Sequence, residues 1–170
     1  NILLVRRSRR VEVHERWSEM TYKLSQRSLD TMAGVDERLV AVAKLAIQNT
    51  SVDFGVICGL RTIQEQRVLF DNGASKTMKS KHIDGNALDL MAYIGSRGSW
   101  ELKLYDKIGD AIIDAAKEVG VGLRWGAAWH CSDVRTWEGS CENLMNAYVD
   151  LRRGQGKRPF IDAPHWEISE

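Results

Sequence analysis

Ser80-Lys81-His82-Ile83-Asp84-Gly85-Asn86-Ala87-Leu88-Asp89 is the stretch on which the fold turns. From Asn86 to Tyr93 the pattern suits a strand, with Ala87, Asp89 and Met91 on one face and Leu88 and Leu90 on the other. Asp89 then looks into a site while its neighbours pack. Gly85 takes the positive φ of a tight turn at no steric cost, which lets His82 and Asp89 converge. Towards the C-terminus, Asp162-Ala163-Pro164-His165-Trp166-Glu167 adds a second histidine with a carboxylate three residues before it. Pro164 excludes a helix interior, and a regular strand puts residues three apart on opposite faces. A bend at Ala163-Pro164, opening a strand, is therefore expected.

Two histidines and a carboxylate are the usual protein ligands of a catalytic zinc ion, which keeps its fourth position for water. His82, Asp89 and His165 supply that count, and Asp162 remains to take and return the proton once a metal has acidified the water. Either histidine alone would pass for an ordinary core or surface residue. Asp162 alone could be a loop cap or a partner orienting a ligand, and Arg61 alone a salt-bridged surface group. His130, Cys131 and Cys141 do not have the spacing of a structural zinc site and are read as incidental.

Ser-x-His-x-x-Gly-x-Ala-x-Asp followed by acidic-x-x-His resembles the zinc D-alanyl-D-alanine carboxypeptidase and dipeptidase family, and within it the L-alanyl-D-glutamate endopeptidases used by bacteriophages as endolysins. Leu24 to Leu29, Val56 to Thr62 and Trp125-Gly126-Ala127-Ala128-Trp129 extend the likeness, which covers nearly everything from Met20 to Glu167. The resemblance implies one catalytic Zn2+ on His82, Asp89 and His165, with Asp162 as general base. It also implies Arg61 as the cation on the scissile carbonyl, and Ser80, Trp125 and Trp129 as substrate contacts or groove wall. Ala127 stands where relatives have glycine, and the link from Trp129 to Asp162 is long, so the groove is expected to differ in shape. The implied substrate is peptidoglycan, cut between L-alanine and D-glutamate to lyse the host. The alternatives are a D-alanyl-D-alanine carboxypeptidase, or a binding module that keeps zinc without turnover. Together Asp162 and Arg61 favour an enzyme, because a binder needs neither a base nor an oxyanion cation.

The chain has 170 residues, enough for one domain that buries roughly 70% of its unfolded surface. A net charge of +1 gives no basic footprint for nucleic acid. Three cysteines without a C-x-x-C motif point to reduced thiols. Asn1 to Val5 is too short for a signal core or membrane span, and its arginines follow it. Residues 1–19 are expected to be a vector-derived or upstream extension and 20–170 a single zinc peptidase domain. The protein is expected to be a monomer, without stable membrane insertion, held in the host cytoplasm until lysis and then acting on the wall.

Helices are expected over Asp36–Gln48, with Asp36 as N-cap, from the Thr62-Ile63-Gln64-Glu65 capping box to Asp71, over residues 100–119 with Gly120 as the stop, and over Glu142–Arg152. Val52–Ile57, Gly122–Trp125 and Trp166–Ile168 read as further strands. The whole is an α+β domain whose small, mainly antiparallel sheet carries the site and is packed by helices. By resemblance this is the hedgehog/DD-peptidase-like fold.

Overall fold

The structure is a computed structural model that describes residues 21–169, so the expected extension over residues 1–19 lies outside the described residues. In chain order the elements are α1 (Gln26–Thr31), α2 (Glu37–Asn49), β1 (Asp53–Cys58), α3 (Ile63–Asp71), β2 (Ala87–Ile94), β3 (Arg97–Ser99), α4 (Leu102–Val119), β4 (Leu123–Trp125), a 3-10 turn (Val134–Thr136), α5 (Cys141–Gly154) and β5 (His165–Ile168). The strands form one antiparallel sheet in the order β1-β2-β5-β4, with β3 also paired to β2.

Local chemistry sets the element ends. Asp36 caps α2 by accepting from the Arg38 amide, and Thr62 and Glu65 form the reciprocal capping box that opens α3. Gly120, at φ 81°, stops α4 in the left-handed region. Tyr105 lies inside, its hydroxyl donating to Ser99 O at 3.1 Å, whereas Leu104 and Val119 are only partly buried at the edge of the core. On α5, Leu151 is exposed, and Cys141, Leu144, Met145 and Tyr148 do the packing. Short α1, β3 and the 3-10 turn lack enough periodicity to be seen in the sequence.

One sheet face packs the helices. Leu88, Leu90 and Ala92 of β2 and Trp166 and Ile168 of β5 join the α2 and α4 side chains in a single core. Trp125 and Trp166 stack there at 5.4 Å between ring centroids, and Trp125 Nε1 donates to Ala163 O at 2.8 Å. Alternation then turns Asp89, His165 and Glu167 to the other face.

Candidate active site

Sheet register assembles the site. Asp89 of β2 pairs with His165 of β5 on one side and with Cys58 of β1 on the other, so three strands contribute one residue each to a single row. A bulge between Val56 and Cys58 resets the last pair, and without it Cys58 would not stand opposite Asp89.

His82 comes from the turn before β2. Gly85 takes φ +70° there, and a side chain on it would collide with the carbonyl oxygen of Gly34. The turn is tied down by Arg61 N donating to His82 O at 3.0 Å and by Asp36 N donating to Gly85 O at 2.9 Å. On the opposite flank the bend expected at Ala163-Pro164 is present, with His165 N donating to Asp162 O at 3.1 Å. Gly126 closes against this bend: its amide donates to His165 O at 2.8 Å, and a side chain on it would strike the Asp162 carbonyl.

Three atoms converge. His82 Nε2 lies 3.2 Å from Asp89 Oδ1 and 3.3 Å from His165 Nδ1, and His165 Nδ1 lies 3.0 Å from Asp89 Oδ1. A tetrahedral ion with bonds of about 2.0–2.1 Å sets its ligand atoms about 3.3 Å apart. The trio fits such an ion. The outward nitrogens fix the tautomers: His82 Nδ1 donates to Gly59 O at 2.7 Å and His165 Nε2 to Glu167 Oε2 at 3.0 Å, so each inward nitrogen keeps a lone pair for a metal.

Cys58, His82 and Asp89 also offer atoms within 4.8 Å of one another. Cys58 Sγ, however, approaches His82 at Nδ1, 3.7 Å away, the nitrogen engaged by Gly59. The thiol therefore stands behind His82 rather than beside its inward Nε2, where His165 is the third neighbour.

Electrostatics match a site built for a cation. Burial opposes charge on all three groups, yet hydrogen bonds to Asp89, and to Cys58 from His82, lift His82 to about 10. Hydrogen bonds to Asp89 and Glu167 likewise lift His165 to about 9. Hydrogen bonds from both histidines hold Asp89 well below the usual carboxylate range against its burial. Asp162 moves the other way: burial raises its carboxyl, and the Asp89 charge adds to the rise.

The site opens into a cleft of about 490 Å³ whose lining includes Arg61, Ser80, Trp129 and Asp162. Arg61 sits at the expected strand-to-helix junction, with Nη1 donating to Gln66 Oε1 at 2.8 Å and Nη2 to Cys58 Sγ at 3.1 Å, and Nη2 3.8 Å from Asp89 Oδ2. Ser80 Oγ accepts from the His82 amide at 3.3 Å. Trp129 stacks on His165 at 5.8 Å and on Phe160 at 6.2 Å, which makes an aromatic wall. Trp125 is placed elsewhere. It is fully buried in the core and lies outside the cleft lining, because β4 alternation turns it toward Trp166. Its influence on the site runs through the Ala163 carbonyl.

Four contributors escape a reading of the sequence alone. Glu167 had a usable signal, since residues two apart on a strand share a face and it follows His165 by two. Cys58 depends on a bulge, Gln66 on a helix-to-loop contact, and Phe160 on the return path of the long link, where its amide donates to Tyr148 Oη at 3.4 Å.

A small antiparallel sheet with an inward His/Asp/His trio, a half-buried carboxylate and an arginine defines a metallopeptidase-type hydrolase. Sequence comparison agrees: the phage L-alanyl-D-glutamate peptidase family matches residues 20–168, and the chain belongs to that family. It is 34% identical over 117 residues to the L-alanyl-D-glutamate peptidase of Escherichia phage T5, covering 66% of this chain and 85% of the relative. It is 28% identical over 113 residues to the Listeria phage A118 enzyme of the same description, covering 65% of this chain and 39% of that longer protein. Among solved structures, the Serratia marcescens L-Ala D-Glu endopeptidase ChiX superposes with a TM-score of 0.65 at 28% identity, covering 87% of this chain and 90% of ChiX.

Proposed function

We propose that the protein is a zinc-dependent phage endolysin that hydrolyses the bond between L-alanine and D-glutamate in peptidoglycan stem peptides. The observation that carries this reading is the convergence of His82 Nε2, Asp89 Oδ1 and His165 Nδ1 within 3.3 Å of one another on a cleft that also holds Asp162 and Arg61. Zinc held by that trio supplies Lewis acidity and an acidified water. Asp162, raised by burial, takes the proton of the attacking water and returns it to the departing amine nitrogen. Arg61 stabilises the oxygen that becomes negative as the carbonyl carbon turns tetrahedral, and its bonds to Gln66 and Cys58 hold the guanidinium ready. Gly59 and Glu167 keep the histidines in the coordinating tautomer. Trp129 and Phe160 exclude water from one flank, and Ser80 lines the other.

The protein acts as a monomer on the cell wall after release from the host cytoplasm. Among the described residues no helix is long and apolar enough to cross a membrane. Digestion of Gram-negative peptidoglycan tests the reading by mass spectrometry. New alanine carboxyl groups and N-terminal glutamate, without free D-alanine, are expected. Free D-alanine as the main product would identify a carboxypeptidase instead, and an unchanged digest from zinc-loaded protein a binding module.

A further inference from the structure

The cleft is chemically two-sided. On its His165 flank stands the Trp129–Phe160 stack; on its Arg61 flank runs the loop after α3, which contributes Lys76 and Lys79 to the lining. Both lysines are exposed, and such residues on a free surface would mean little. This loop is built, however. Gln66, fully buried, accepts from Arg61 through Oε1 and donates through Nε2 to Ser75 Oγ at 2.8 Å and Thr77 O at 2.6 Å, so one amide joins the arginine to the residues on both sides of Lys76. Ser75 N donates to Leu69 O at 2.8 Å, and Lys79 N to Thr77 Oγ1 at 2.9 Å, which extends the fixed frame to the second lysine.

Charge arrangement indicates what the loop meets. Asp89 and Glu167 bond to His165 and Asp162 precedes it by three residues, so the carboxylates of the lining gather around the His/Asp/His trio and none of them belongs to the loop that carries Lys76 and Lys79. Lys81 belongs electrostatically to that side, since it acts on Glu167. Lys76 and Lys79 are left to attract an anion beyond Arg61. A glutamyl residue uses one carboxyl in the chain and keeps the other, whichever linkage it makes; an alanyl residue offers only a methyl group. Resting on the proposed reaction, we infer that Lys76 and Lys79 form the specificity subsite for the free carboxylate of the glutamyl residue on the amine side of the scissile bond, with the aromatic wall taking the alanyl side.

Two synthetic stem peptides test this, identical except that the free glutamyl carboxylate of one is converted to an amide. Zinc-loaded full-length protein should cleave the acid form with kcat/KM about tenfold above the amide form, the effect of a charge-assisted contact partly screened by solvent. The double variant Lys76→Gln/Lys79→Gln should lose this preference by falling on the acid form alone. Unchanged cleavage of the amide form is the internal control for folding. Equal cleavage of both peptides by the parent protein, or a preference that survives in the variant, overturns the subsite while leaving the reaction intact. Failure of the parent protein to cut either peptide between alanine and glutamate overturns the reaction, and the subsite with it.

Discussion

At the scale of single residues, metal binding and turnover separate. Asp162 lines the cleft without belonging to the trio, so Asp162→Ala should retain stoichiometric zinc while turnover falls by about 10² to 10⁴. Arg61→Ala should likewise keep the metal and cost roughly 10² to 10³. Elemental analysis beside a muropeptide assay decides, and near-normal turnover in either variant removes that residue from the mechanism. Glu167 behaves differently, because it acts through His165 Nε2. Glu167→Gln should weaken zinc by about 10- to 100-fold, the usual effect of losing a partner behind a ligand. Protons follow the same logic. Hydrogen bonds to Asp89 lift His82 to about 10 and His165 to about 9, so a proton competes with a cation for this pair. Zinc binding should therefore release protons and strengthen as pH rises toward those values, measurable by calorimetry in buffers of different ionisation enthalpy.

At the scale of elements, α4 carries a buried liability. Asp106 is 6% exposed, its Oδ1 has no hydrogen-bond partner among the described residues, and burial, with Glu142 and Asp110 nearby, raises its carboxyl to about 6. A pKa raised by folding favours the folded state below the unfolded value near 3.8 and withdraws that support as pH rises through about 6. Asp106→Asn should accordingly stabilise the protein by about 1–3 kcal/mol at neutral pH, with the gain vanishing near pH 4. Urea titrations at the two pH values test this; an equal effect at both would sink the explanation. This liability illustrates how far sequence goes. Caps and stops such as Asp36, the Thr62–Glu65 box and Gly120 are legible because their chemistry is local. Alternation in β2 and the turn at Gly85, which bring Asp89 and His82 together, are legible for the same reason. What stays hidden depends on partners far along the chain: the β1 bulge that aligns Cys58, the contact of Gln66 with Ser75 and Thr77, and β4 packing that turns Trp125 inward. Three-residue β3 is too short to show a period at all.

At the scale of the whole molecule, His82, Asp89 and His165 tie β2, β5 and the turn before β2 together, so zinc bound by them should stabilise the fold and not only the chemistry. Binding to the folded state alone contributes about 2.7 kcal/mol at a hundredfold excess over Kd. Thermal scans should show a clear fall in Tm on chelation and recovery on zinc addition, and His165→Ala should show neither.

β5, though last of the strands in the chain, lies inside the sheet between β2 and β4. It carries His165 and Glu167 and follows the bend from Asp162. A polypeptide emerging from the ribosome thus has an open slot, flanked by two unpaired strand edges, until residue 165 and its neighbours arrive. Half-made copies lack β5 and the residues that it adds to the row, and the open edges of β2 and β4 are what incomplete synthesis would leave exposed to aggregation.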